Sequence, residues 1–350
     1  MCAATFTDYG EPLSVEDTEE PTVDPDGVIV EMEACGVCRS DWHAWQGHWS
    51  RDHEPGHVFG HEPAGTVVKV GAEVERIAEG DHVTVPFHTS DGTCHRCWIG
   101  QSNLYENGVE VGLVTGVQGG FAERMPVPNA DENVVSLPDG ISSVDMAGLG
   151  CRFMTSFHAL SHRADVDGGD WLAVHGCGGV GLSAVDVGTA LGANVIAVDL
   201  DDKKLDTAEE LGAAETVNAA NTENVSGAVH ALTDGGAHVS VDALGIAETC
   251  RNSVGSLRPR GQHVQVGLTS ADEGGEVPVP TDEIVMKELS VVGSHGMPAP
   301  DHTEIFRMLE AGRIDPGAVV SAVITLDDVA DTLDAVTDYD TSGIPMIGEF

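Results

Sequence analysis

A β-rich unit coupled to a doubly wound α/β unit is the architecture this sequence predicts, on three observations. The chain has 350 residues, whereas a single core stops growing at about 250 to 300, so two domains are expected. Residues 1–140 read as short β-branched runs punctuated by Gly and Pro, the pattern of a strand-rich unit. Residues 170–293 alternate helical and β-branched segments, as a parallel sheet with crossover helices requires.

In the first unit, residues 27–34, 64–70 and 82–86 are the clearest strand candidates. Between them lies the richest chemistry of the chain: Cys35-Gly36-Val37-Cys38-Arg39-Ser40-Asp41-Trp42-His43, then Gly60-His61-Glu62. A thiolate donor (Cys38), an imidazole (His61) and an acid (Glu62) come close in sequence to a hydroxyl (Ser40) and a second imidazole (His43). Cysteine sulfur and histidine nitrogen are what zinc prefers, and three protein ligands with one open position suit catalysis. The residues 147–160 have the periodicity of one buried helix, in which Cys151 alone reads as a small core residue.

The second unit carries its own signature. Trp171 to His175 reads as a strand, Gly176-Cys177-Gly178-Gly179-Val180-Gly181 is G-x-G-x-x-G, an apolar helix follows, and Val195 to Val198 ends at Asp199, 18 residues past the last glycine. In that setting the glycines let backbone approach a pyrophosphate at a helix N-terminus, and the carboxylate accepts from a ribose 2′-OH while repelling a 2′-phosphate. NAD is therefore expected over NADP, with Lys203 and Lys204 softening the discrimination so that NADP stays open. Further helices are expected at 203–211 and 247–257, and strands at 237–243, 262–267 and 289–293. The tail adds helices at 304–311 and 326–336 around a strand at 319–324.

Composition excludes several classes. With 58 acidic and 16 basic residues the net charge is −42, and nucleic acid is an improbable partner for so negative a chain. Such self-repulsion costs stability in dilute buffer, while about 1 M salt shortens its reach to about 3 Å; a salt-accumulating, halophilic cytoplasm is the expected setting. Apolar content of 41% and mean hydropathy of −0.05 describe a soluble protein with no membrane partner, and neither a spanning run nor an export signal is read. Eight cysteines in such a chain argue for thiols and metal over disulfides. Cys2, Cys177 and Cys250 read as structural or incidental.

The stretch from Cys38 to Glu62 resembles the zinc-dependent medium-chain alcohol dehydrogenase family, position by position from Cys38 to Ser40, His43 and His61, and the likeness extends over nearly the whole chain. It implies a β-rich chaperonin-10-like catalytic domain, residues 1–152 and 294–350, plus a doubly wound Rossmann coenzyme domain, residues 153–293. It implies that Cys151 completes a catalytic zinc site with Cys38 and His61, and that Thr155 packs beside the nicotinamide. Backbone near Val266, Leu268 and Val292 is implied against the nicotinamide amide. No late arginine is available for the coenzyme phosphates, which leaves Arg39. Trp45, Trp49 and Phe87 would line a pocket for short alcohols or aldehydes. Many members hold a structural zinc with four cysteines; here Asp91 and Tyr105 stand at the first and last of those places beside Cys94 and Cys97, so that ion is expected to be absent.

The implied activity is oxidation of an alcohol to an aldehyde or ketone, and the reverse, with NAD. The proton would leave through Ser40 and the nicotinamide ribose to His43. Glu62 would serve behind the metal or as an exchanging ligand, and Asp41 would orient a ligand. A polyol or sugar dehydrogenase of the same superfamily is the alternative. A non-catalytic coenzyme-binding redox sensor, switching at Cys94 and Cys97, is the alternative of another class. A homodimer or homotetramer is expected.

Overall fold

The computed structural model describes every residue except 50, 51, 270–272 and 338–342. The chain divides into two units, Met1–Met154 with Gly296–Arg307 and Pro316–Phe350, and Thr155–His295 with Met308–Asp315. The sequence expectation kept all of 294–350 with the first unit. Met308–Asp315 instead joins the second, where Asp315 lies beside Asp186 of the helix Gly179–Leu191.

The first unit is built around the strand Val28–Gly36, whose burial alternates where one face meets solvent and becomes continuous towards Gly36. It pairs antiparallel with Pro63–Val70, Arg124–Val127 and Ile344–Glu349, so the C-terminal residues close the sheet that the N-terminal part begins. The sheet continues through His82–Thr84 to Val135–Ser136 on one side and, beyond Ile344–Glu349, to Val320–Thr325 on the other. Its core gathers Trp45, Phe59, Phe121, Met125 and Leu333 among others. A small antiparallel pair, Cys2–Thr5 with Ser14–Asp17, was not legible in the sequence.

The expected helix over 147–160 is interrupted. Ser143–Gly148 ends, and a new helix starts at Cys151. A Cβ at Gly150 would sit 2.7 Å from Cβ of Glu62, so at the break the chain passes too close to that acid for any side chain.

The second unit is a six-stranded, all-parallel sheet. Its order is Glu215–Asn218, Asn194–Asp199, Trp171–His175, Ala237–Asp242, Leu257–Gln265, Ser290–Gly293, the third, second, first, fourth, fifth and sixth strands in chain order. Strand order reverses between Trp171–His175 and Ala237–Asp242, and ligands of such sheets bind outside the carboxyl ends of the strands at that point. The strands Trp171–His175 and Asn194–Asp199 carry continuous apolar runs, as burial on both faces demands: Leu172, Ala173 and Val174 are fully enclosed, as are Val195 to Ala197. The helix Val225–Thr233 and the strand Glu215–Asn218 were not anticipated. Among the described residues no helix is long and apolar enough to cross a membrane.

Candidate metal centre and coenzyme loop

Pairing of Cys35 with Pro63 brings the ends of two strands together, so Cys38, just past one strand, and His61-Glu62, just before the other, meet at the same edge. Cys38 then caps the helix Arg39–Trp45. Cys151 opens its own helix after the break at Gly150. The ligand atoms of Cys38, His61, Glu62 and Cys151 all lie within 4.8 Å of one another. As a whole residue Cys151 is partly exposed, but its sulfur belongs to the enclosed cluster.

Asp41 organises this cluster. Its Oδ1 accepts from His61 Nδ1 at 2.8 Å and from Gly60 N at 3.1 Å, and its Oδ2 accepts from Cys38 N at 2.9 Å. With Nδ1–H committed to Asp41, His61 turns Nε2 towards the cluster, and that atom is buried with no hydrogen-bond partner among the described residues. A buried nitrogen acceptor left unsatisfied is costly unless something fills the place before it. The charges ask for a cation there. The hydrogen bond with Cys151 pulls the Cys38 thiol well below its ordinary value despite burial, and that same bond pushes Cys151 up. Burial acts to lower His61, but the Asp41 carboxylate and Cys38 outweigh it and raise the imidazole well above its usual range, so the site draws positive charge to Nε2, which a bound cation supplies in place of a proton. Two sulfurs and an imidazole around a buried point of negative character fit zinc.

Glu62 has a partner that sequence reasoning missed. Arg152 Nε donates to Glu62 Oε1 at 3.1 Å, Arg152 Nη2 contacts Oε2, and the Arg152 amide adds a third bond at 3.2 Å. Both residues are buried. Burial raises the Glu62 carboxyl and the guanidinium opposes it. A single cation beside Cys151 in an otherwise apolar run was the available signal. Gly36 makes room for the acid, since a Cβ there would lie 2.2 Å from Glu62 Oε2.

Ser40 and His43 are three apart on the same short helix and so share a face. The His43 ring stacks on Trp49 at 5.4 Å and meets Trp42 edge-on at 4.9 Å. Burial, then Arg39 and His48, lower its pKa to about 4. Phe87 stands edge-on to the His61 ring at 5.8 Å. Trp45 is placed differently: it is enclosed in the core, with its indole N–H donating to Glu11 O at 2.7 Å. Arg39 lies over the Trp42 ring at 4.3 Å and donates to Val336 O at 2.9 Å.

In the second unit, Gly176 turns the chain at φ +92°, and a Cβ at Gly181 would lie 1.7 Å from Gly176 O, so both positions require glycine. A Cβ at Gly178 would meet nothing within 4 Å, leaving that backbone open. Gly179 and Val180 begin the helix Gly179–Leu191 with no side-chain cap, so its first amides are available to an anion. Asp199 Oδ2 accepts from Cys177 N at 2.6 Å while Oδ1 accepts from Leu200 N and Asp201 N, which ties the acid to the glycine loop. Thr155 is buried, Val266 and Val292 are half-buried, and Leu268 is exposed.

The lobe holding Cys94 and Cys97 is another environment. The two sulfurs are 3.1 Å apart on one short turn, and both residues are partly exposed. Tyr105 donates its hydroxyl to Asp91 Oδ2 at 2.6 Å, and Thr93 occupies Oδ1.

Comparison with known proteins agrees with this geometry. Residues 24–139 match the alcohol dehydrogenase GroES-like domain and residues 179–311 the zinc-binding dehydrogenase family. An alcohol dehydrogenase of Geobacillus stearothermophilus is 31% identical over 334 residues, covering 95% of this chain and 96% of the relative. The solved structure of an alcohol dehydrogenase from Thermus sp. ATN1 superposes with TM-score 0.92 at 29% identity, covering 100% of both chains. A D-arabinose 1-dehydrogenase (NADP(+)) of Saccharolobus solfataricus is 30% identical over 93% of this chain and 91% of its own. The chain belongs to the zinc-dependent medium-chain alcohol dehydrogenase family, and its two units are the GroES-like and Rossmann domains of that family.

Proposed function

We propose that this chain interconverts alcohols with aldehydes or ketones, using one catalytic zinc held by Cys38, His61 and Cys151 and NAD in preference to NADP. The observation that carries the proposal is geometric: the buried Nε2 of His61, without a hydrogen-bond partner among the described residues, lies in one cluster with the sulfurs of Cys38 and Cys151, their ligand atoms within 4.8 Å of one another. When bound, zinc supplies Lewis acidity that lowers the pKa of a coordinated hydroxyl towards neutrality.

The chain's own residues do the rest. Asp41 fixes the His61 tautomer and the Cys38 amide, holding two ligands in one rigid frame. Arg152 opposes the burial that raises the Glu62 carboxyl and holds the acid in a hydrogen-bonded pair, from which Glu62 would exchange as a ligand only when that pair loosens. Ser40 would hold the substrate's hydroxyl proton at its Oγ, and His43 would serve as the base towards which that proton leaves once coenzyme is bound. Phe87 and Trp49 limit the pocket to short, unhindered substrates; Trp45 supports it from the core. Gly176, Gly178, Gly179, Val180 and Gly181 receive the pyrophosphate, Asp199 the ribose, and Thr155 with the backbone at Val266, Leu268 and Val292 the nicotinamide. Arg39 is the basic side chain for a coenzyme phosphate, reached by giving up Val336 O.

NADH absorbance with ethanol in high salt, before and after chelation and with zinc restored, tests this reading. Activity that survives chelation overturns the metal assignment. The arabinose-oxidising relative supports a second reading, a polyol or sugar dehydrogenase, and a panel of alcohols and sugars with both coenzymes separates the two. The charge of −42 supports a salt-dependent fold, and dialysis into dilute buffer is expected to inactivate the enzyme. Assembly as a homodimer or homotetramer belongs to the same reading and is read by sedimentation.

A further inference from the structure

The helix Arg39–Trp45 ends in a way that places a second histidine on the first. Gln46 is its C-cap, and Gly47 follows at φ +71°, the left-handed conformation that closes a helix. Gly47 N donates to Ala44 O at 3.1 Å and His48 N to His43 O at 3.0 Å, the paired bonds of a Schellman turn. In that turn the residue after the glycine meets the residue three places before the cap, and the contact is ordinarily apolar. Here those two residues are His48 and His43, and they meet through their rings: Nδ1 of one lies 3.0 Å from Nδ1 of the other.

One nitrogen of that pair must carry the proton and the other accept it. His43 is buried and His48 reaches the surface. Trp42 lies edge-on to both rings, at 4.9 and 4.8 Å, and Trp49 covers the face of His43, so aromatic walls hold the pair. Nε2 of His43, across the ring from the bond to His48, makes no hydrogen bond among the described residues. The charged or titratable groups acting on His43 are Arg39, His48 and Cys38.

We infer that His48 is the outward half of a two-imidazole proton relay, taking from His43 Nδ1 the proton equivalent that His43 receives at Nε2 and delivering it to water. The inference rests on the reading of His43 as the relay base. A proton added at Nε2 of His43 is matched by the one its Nδ1 gives to Nδ1 of His48, and His48 loses one from Nε2 to solvent, so each ring is neutral before and after. Burial makes His43 a poor store of charge, with a pKa of about 4, so a ring that only received the proton would be a dead end. His48 gives it an exit. His48 is a positioning and conducting residue; it touches neither substrate nor coenzyme in this scheme.

The test is His48→Gln in the zinc-loaded enzyme, followed by single-turnover NADH formation with ethanol. A glutamine amide still hydrogen-bonds to His43 Nδ1 but cannot pass a proton on. The expected result is about a ten-fold slower proton-coupled turnover at pH 7, less than the roughly hundred-fold or more that a general acid–base group itself contributes because His48 only conducts the proton, with the deficit shrinking at alkaline pH and on adding free imidazole. Zinc content and NADH binding should match the parent. A His48→Gln enzyme that follows the parental pH profile and ignores imidazole overturns the inference. His43→Gln separates the two levels: if it is slow while His48→Gln is not, only the exit through His48 fails. If both run at the parental rate, the relay reading itself falls.

Discussion

Two cysteine clusters lie in the same unit of this protein, and they differ in almost every respect that makes a metal site. Cys38, His61 and Cys151 come from three separated segments and meet in a buried cluster, with Asp41 fixing two of them and one imidazole nitrogen left for a ligand. Cys94 and Cys97 come from a single turn, stay partly exposed, and find the neighbouring carboxylate already bonded to Tyr105 and Thr93. Cysteine spacing alone draws attention to the second cluster; the supporting bonds single out the first. A metal centre is defined as much by what orients its donors as by the donors.

The largest expected difference follows directly. Cys38→Ala or Cys151→Ala removes a ligand from the enclosed site, and both bound zinc and alcohol oxidation should be lost, measured by metal analysis and NADH absorbance. Cys94→Ser with Cys97→Ser should leave both intact. An active, zinc-replete Cys38→Ala enzyme, or an inactive lobe variant, would break the contrast.

Burial also sets the response to acid. His57, whose Nε2–H donates to Gly112 O at 3.0 Å, and His302, whose Nδ1–H donates to Ala299 O at 3.1 Å, lie in the same unit as both clusters. Burial lowers each to about 4, with the carbonyl bonds opposing. A histidine whose folded pKa lies below its unfolded value of about 6.5 binds fewer protons folded than unfolded between those two values. Stability contributed by keeping it neutral is present above pH 6.5 and lost as pH falls towards 4, at about 1.4 kcal/mol per pH unit for each ring as an upper figure. The unfolding midpoint in urea should therefore fall steadily from pH 6.5 to 4. His57→Gln should flatten that slope, while the Cys94→Ser, Cys97→Ser variant should follow the parental curve. A parental slope in the His57→Gln variant would show that this burial does not govern acid sensitivity.

Much of this was legible in the sequence, for identifiable reasons. The glycine loop and its acid are local, so strand, turn and helix could be read in one pass from Trp171 to Asp199. Cys38, Ser40, His43 and His61 stood out because their spacing is short and their chemistry unusual. What escaped depends on contacts distant in sequence or on backbone detail. Arg152 is 90 residues from Glu62, and nothing local announces the pair. The break at Gly150 follows from the approach of Glu62, so periodicity over 147–160 gave one helix where there are two. Trp45 has the composition of a pocket residue and the position of a core one, a distinction made only by which helix face turns into the core.

The smallest expected effect on activity is also the sharpest probe of the lobe. If the second cluster falls short of a metal site only because oxygen donors stand where soft ligands are needed, then Asp91→Cys together with Tyr105→Cys should change its metal content. The double change removes the Tyr105–Asp91 hydrogen bond of 2.6 Å and adds two thiols to the lobe in which Cys94 and Cys97 already lie 3.1 Å apart. Four thiolates then offer the closed tetrahedral set that structural zinc takes. The double variant should bind a second zinc per chain by metal analysis and leave the rate of alcohol oxidation close to the parental one. No additional zinc would mean that the lobe backbone, and not the pair of oxygen donors, is what separates the two clusters.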